Sequence, residues 1–155
     1  MQGNTEIIAK LNGLLAGELT AIDQYFIHGR MCREWGLTKL ADHFNHEMQE
    51  EQSHADRLIT RILFLEGLPV MDQRTPLKVG ANIPEMLRND LELEYEVIGN
   101  LKETITLAEQ SRDFPTRDLL LDLLRDTEED HTRWLETQFG LIEKIGLENY
   151  LQSQM

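Results

Sequence analysis

Two four-residue patterns, Glu51-Gln-Ser-His54 and Glu128-Glu-Asp-His131, set a carboxylate and an imidazole three residues apart inside long amphipathic stretches. Positions i and i+3 share one face of an α-helix, so each pair can present an oxygen and a nitrogen donor to a single point. One such pair is a weak signal, because Glu and His are common on solvated faces. The signal strengthens because each pair follows another Glu at nearly the same distance: Glu18 precedes Glu51 by 33 residues and Glu94 precedes Glu128 by 34. The chain reads as two similar halves.

Four carboxylates and two neutral imidazoles in a dry core carry four negative charges, and isolated buried charges cost many kcal/mol or shift their pKa until neutral. Two divalent cations cancel the sum. Oxygen and imidazole donors without thiolates suit Fe²⁺, Mn²⁺ or Zn²⁺, of which iron and manganese are redox-active and iron is the default for reaction with O₂. Two shared carboxylates can bridge two metals at about 3.5–4 Å. The competing reading, core-edge Glu and His paired with basic residues, requires four separate coincidences of register.

The elements that must position these residues follow from sparse punctuation by Gly36, Gly67-Leu-Pro69, Pro76, Gly80, Pro84, Pro115 and Gly146. Four helix-length segments lie between them, about 5–34, 38–66, 84–112 and 116–145, with a short apolar tail helix near 147–153. Pro84 suits a first helical turn and Thr116 an N-cap. No alternation of the β type appears. Seven-residue spacing is clear in Leu11, Glu18, Tyr25; Phe44, Glu51, Leu58, Leu65; Leu87, Glu94, Leu101, Ala108; and Leu121, Glu128, Leu135, Ile142. Each of the four Glu therefore points into a bundle core, and His54 and His131 fall on the adjoining core position. The short links make helices one and two, and three and four, antiparallel neighbours. Segment 67–83 can reach roughly 55 Å when extended, enough to run the length of a helix, so the second and third helices can be parallel. The expected fold is an all-α four-helix bundle with one long crossover and a short C-terminal fifth helix, in one domain spanning 1–155. The tail residues Leu147, Tyr150 and Leu151 are expected to bury themselves against neighbouring copies.

Composition narrows the function. With 155 residues, 41% of them hydrophobic, the chain supports a single core. A formal charge of −13 argues against nucleic acid or anionic lipid as partner and attracts cations. Cys32 is the only cysteine, which excludes a disulfide framework and any Cys-rich metal module. Met-Gln-Gly-Asn-Thr-Glu at the start carries no basic region before an apolar run, and no stretch approaches a membrane span, so a cytoplasmic location is expected.

Over its whole length the chain resembles a bacterioferritin subunit, a member of the ferritin-like group. The resemblance rests on Leu11-Asn-Gly-Leu-Leu-Ala-Gly-Glu18-Leu, Asp23-Gln-Tyr-Phe26, His54-Ala-Asp-Arg57, Arg61-Ile-Leu-Phe-Leu-Glu-Gly-Leu-Pro69 and Gly146-Leu-Glu-Asn-Tyr-Leu-Gln152. It implies a ferritin-like fold, a hollow shell of 24 subunits, and a ferroxidase that oxidises Fe²⁺ with O₂ or H₂O₂ and stores ferric mineral. Glu18, Glu51 and His54 would serve one of two irons per subunit and Glu94, Glu128 and His131 the other, with Glu51 and Glu128 as bridges. Tyr25 and Trp134 resemble aromatics that flank the site, and His46 with Glu50 resembles a cavity-facing iron site. Leu58 stands where some members carry a further tyrosine.

One departure concerns haem, which family members bind between two subunits through a Met that corresponds to Gln52. A side-chain amide replaces a thioether poorly, so haem is not expected in the homopolymer. Met48, one turn earlier, is the only displaced candidate ligand, and packing is its ordinary role. The resemblance also allows a shell mixed with a haem-binding paralogue and a ferredoxin as electron donor for iron release. A di-iron oxygenase or peroxidase uses similar ligands, but the substrate cavity or Cys-rich module that usually accompanies it is not evident.

Overall fold

The computed structural model describes all 155 residues, and every regular element is helical. In order these are α1 (Thr5–Glu34), α2 (Thr38–Phe64), α3 (Ile83–Gln110), α4 (Phe114–Asp126), α5 (Arg133–Ile145) and α6 (Leu147–Ser153). A π-helical turn, Thr127–Thr132, joins α4 to α5. Both joints keep helical dihedrals, φ −59° and ψ −44° at Asp126 and φ −60° and ψ −41° at Arg133, so α4, the π turn and α5 form one rod. That rod is the fourth helix expected from the sequence, with an interruption its periodicity did not announce.

Local chemistry explains the ends. Asn4 caps α1 by accepting from the backbone N–H groups of Glu6 and Ile7, and Asn82 caps α3 by accepting from Glu85 N–H with Pro84 in the first turn. Asp113, rather than Thr116, caps α4: its carboxylate accepts from Thr116 N–H at 3.2 Å and from the Arg61 guanidinium at 2.9 Å. Pro115 is tolerated there because first-turn N–H groups have no intrahelical partner. At the other ends Gly36, Glu66 and Arg112 adopt left-handed φ of 78°, 62° and 59°. In each case the following N–H bonds to the carbonyl five residues back, as in Leu37 to Cys32 and Gly67 to Ile62 at 2.9 Å.

α1 packs on α2, α3 on the α4–α5 rod, and α1 on α3. The crossover between α2 and α3 is laced to α1 along one stripe. Asn12 accepts from Val70 N–H (2.8 Å), Thr20 from Thr75 N–H (2.8 Å), Gln24 from Lys78 N–H (3.1 Å) and His28 from Gly80 N–H (3.0 Å). Because His28 Nε2 accepts, its Nδ1 carries the proton and donates to buried Asp90. This binds α3 to the same stripe.

The core is split. One apolar cluster gathers Leu11, Leu15, Leu58, Ile62, Leu101 and Leu120; the other gathers Tyr25, Cys32, Phe44, Met86, Leu87 and Tyr150. Between them lies a layer of buried acids and histidines. α6 turns back onto its own chain: Tyr150 is fully buried and its hydroxyl donates to Gln138, while Leu147 stays exposed. The expectation that the tail needs neighbouring copies to bury Tyr150 is therefore corrected, since a single chain provides the pocket.

Candidate metal centre

α1 and α3 each carry one acid into the polar layer, Glu18 and Glu94, both 1% exposed. α2 carries Glu51 and His54, which stay on one face because the helix is regular through them. The fourth helix adds His131. His54 Nδ1 lies 3.5 Å from Glu51 and 3.8 Å from Glu18, while His131 Nδ1 lies 2.7 Å from the other Glu51 oxygen and 3.4 Å from Glu94. Glu51 is thus shared between two imidazoles, whose rings stack at 5.5 Å and 12°. Behind His54, Nε2 hydrogen-bonds Asp126 at 3.3 Å, the carboxylate–imidazole arrangement that orients a metal-binding histidine.

Glu128 does not join them. Its side chain is 42% exposed and lies 3.6 Å from Lys102. The cause is the π turn, which takes in one more residue than an α turn, so i and i+3 no longer share a face there. Thr127, four residues before His131, occupies the inward position instead; it is buried and its hydroxyl donates to Leu123 C=O. Of the six residues expected to converge, five meet in this layer and Glu128 stands outside it.

The five-residue layer has the electrostatics of a cation site. Both Glu18 oxygens, one Glu51 oxygen, His54 Nδ1 and His131 Nδ1 are buried without a hydrogen-bond partner, and such orphans are rare unless something else satisfies them. Burial, then the neighbouring Glu51 charge, raises Glu18 well above the usual carboxylate range. Burial and Glu51 likewise raise Glu94 to about 7. Burial also opposes charge on Glu51, yet the adjoining Glu18, His131 and His54 outweigh it and hold this carboxylate well below the usual range. For His131 burial favours the neutral ring, but Glu51 and Glu94 win and push it up to about 12. Protons thus occupy the charge-balancing role that dications would take, and the hard oxygen and nitrogen donors fit Fe²⁺.

The aromatic and peripheral residues have distinct places. Tyr25 is buried and donates to Glu94. Trp134 is half-buried and stacks on His43 at 3.5 Å and 17°. His46 and Glu50 form an outward pair at 3.6 Å, 59% and 39% exposed. Met48 packs partly against the second apolar cluster, whereas Gln52 is exposed.

Three residues near the centre were missed in the sequence: Asp126, Glu47 and His43. Glu47 is 2% exposed, with one oxygen 3.1 Å from His131 Nε2 and the other 3.1 Å from His43 Nε2. Its signal was available, because Glu47 lies one heptad before His54 and one helical turn before Glu51.

Comparison with known proteins adds independent support. Residues 8–145 match the ferritin-like domain family. The chain is 59% identical to the bacterial ferritin of Synechocystis over 155 residues, covering 100% of this chain and 99% of that protein. It is 56% identical to the bacterial ferritin of Pseudomonas aeruginosa, with both chains covered completely. The bacterioferritin of Mycolicibacterium paratuberculosis is 42% identical over 150 residues, 97% of this chain and 94% of that one. A split-core helical bundle with acids and histidines between its halves, matched end to end by these relatives, makes the chain a member of the ferritin family.

Proposed function

We propose that this protein stores iron and detoxifies it, oxidising Fe²⁺ to Fe³⁺ at the acid–histidine layer and holding the ferric product in a multi-subunit shell. The observation that carries this reading is the set of buried donor atoms left without partners around Glu51. Glu18, Glu51 and His54 bind one Fe²⁺; Glu51, Glu94 and His131 bind a second, so Glu51 couples two substrate ions. Two Fe²⁺ release two electrons, which reduce O₂ to H₂O₂ or H₂O₂ to two waters when two protons are taken up. The chain's own groups set the conditions: Asp126 orients His54, Tyr25 holds Glu94 by donating to it, and the apolar clusters keep bulk water out. Glu128, outward in this arrangement, retains a bridging role only by resemblance.

Shell formation is supported by the exposed Phe26, Leu63, Phe64 and Leu68, apolar surface that a lone soluble chain has reason to cover. The reading extends to 24 subunits in the cytoplasm, two irons per subunit, an iron site at His46 and Glu50 facing the store, and a ferredoxin that reduces stored iron. It also includes a shell without haem unless a haem-binding paralogue, with Met where this chain has Gln52, joins it. No helix is long and apolar enough to cross a membrane.

Stopped-flow addition of Fe²⁺ to the assembled protein tests the core claim. About two Fe²⁺ per chain should oxidise in a fast phase, as expected of a two-metal site, and Zn²⁺ should abolish it. A particle of several hundred kilodaltons should accompany that activity. A stable monomer, or a fast phase indifferent to Zn²⁺, overturns the reading.

A further inference from the structure

We propose that Glu47, rather than Glu128, completes the second metal position of this chain. The inference rests on the ferroxidase reading above and concerns which carboxylate serves it.

Charge balance asks for four carboxylates against two dications, and with Glu128 turned outward only Glu18, Glu51 and Glu94 remain among the expected ligands. Glu47 restores the fourth. Its side chain is 3% exposed, against 42% for Glu128. Both Glu47 oxygens lack hydrogen-bond partners, as do His131 Nε2 and His43 Nε2, although each oxygen sits 3.1 Å from one of those nitrogens. The separations are short but the directions are not those of N–H donation, unlike the bond from His54 to Asp126. Groups that converge without donating to one another are arranged as the ligands of a cation are. Donor atoms of Glu47, Glu51 and His131 all lie within 4.8 Å of one another.

The backbone accounts for the exchange. α2 is regular, so Glu47 and Glu51, four residues apart, stand one above the other on its inward face. The fourth helix is interrupted, and the π turn gives its inward place to Thr127. His43, stacked on Trp134, limits the freedom of the Glu47 carboxylate from the far side.

Co²⁺ titration of the assembled protein, followed by its visible absorption, separates this inference from the reading beneath it. The unaltered protein should take up two Co²⁺ per chain; failure to do so overturns the ferroxidase reading itself. Glu47→Gln keeps the size and a hydrogen-bond acceptor but removes the charge. It should weaken the second Co²⁺ by more than about 10-fold while sparing the first, and Glu128→Gln should change neither. Deleting Thr127, which removes the extra residue of the π turn, should make Glu128→Gln damaging and Glu47→Gln tolerated. Unchanged Co²⁺ binding in Glu47→Gln, or loss of the second Co²⁺ in Glu128→Gln of the full-length chain, overturns the inference. Circular dichroism of each variant identifies any that fail to fold, and Glu47→Asp then serves as the shortened-ligand alternative under the same criteria.

Discussion

The two Glu-x-x-His segments have the same spacing and different structures. In α2 the pattern lies on an unbroken α-helix, and Glu51 and His54 both face the centre. In the fourth helix the pattern lies on a π turn, where His131 faces in and Glu128 faces Lys102 and solvent. Spacing in sequence becomes geometry only through the helix type beneath it. A motif therefore states which residues can meet, and the local hydrogen-bond register decides which do.

The largest expected effect comes from breaking the shared element. Glu51→Ala removes the one carboxylate that touches both imidazoles, so both Zn²⁺ ions should weaken by more than about 100-fold. Isothermal titration of the assembled protein measures this. Retention of either site at full affinity would mean that the two segments do not converge on Glu51.

A pH series sharpens the comparison next. Glu18 and Glu94 are raised, Glu94 to about 7, and His131 is raised to about 12. Metal must displace these protons, so apparent Zn²⁺ affinity should rise with pH, more steeply below about 7, where Glu94 still carries its proton, than above it, with net proton release. The sign for the metal-free fold differs by group. The raised carboxyls make it less stable as pH climbs from the ordinary 4.5 toward 7. His131 contributes stability that is complete below 6.5 and disappears only near 12. Titration enthalpies at pH 7 that do not change between buffers of different ionisation heat would show that no proton leaves.

Smallest is the outward pair. Lys102 and Glu128 are 61% and 42% exposed, and exposed pairs contribute at most about 1 kcal/mol. Lys102→Ala should leave thermal stability and metal uptake within error. A marked loss of either in calorimetry would show that Glu128 is held by more than this contact.

Much of this molecule is legible in its sequence because heptad spacing and caps carry the information. Residues 5–34 and 147–153 fold as the punctuation indicates, and Glu18, Glu51, His54, Glu94 and His131 meet where their registers point. The π turn is not legible, because one extra residue such as Thr127 changes the register without any local breaker: Asp126, Thr127 and Glu128 are all acceptable helix residues. Glu47 escaped for a different reason. The apolar line through Phe44, Glu51 and Leu58 describes one core position, and Leu40, Glu47 and His54 form the neighbouring one, where an acid followed by more acids resembles a solvated face. Tyr150 was misassigned because a short apolar tail does not reveal whether its pocket belongs to its own chain.

The fold of that tail has a chemical consequence. Tyr150 and its cluster enclose Cys32, whose thiol is pushed up to about 12 by burial and by the nearby Asp90 charge. Oxidants attack the thiolate, and at neutral pH almost none forms here. Iron oxidation of the kind proposed above generates conditions hostile to sulfur. With its last helix packed into the cluster that holds its only cysteine, this chain leaves that sulfur a poor target for oxidants at neutral pH.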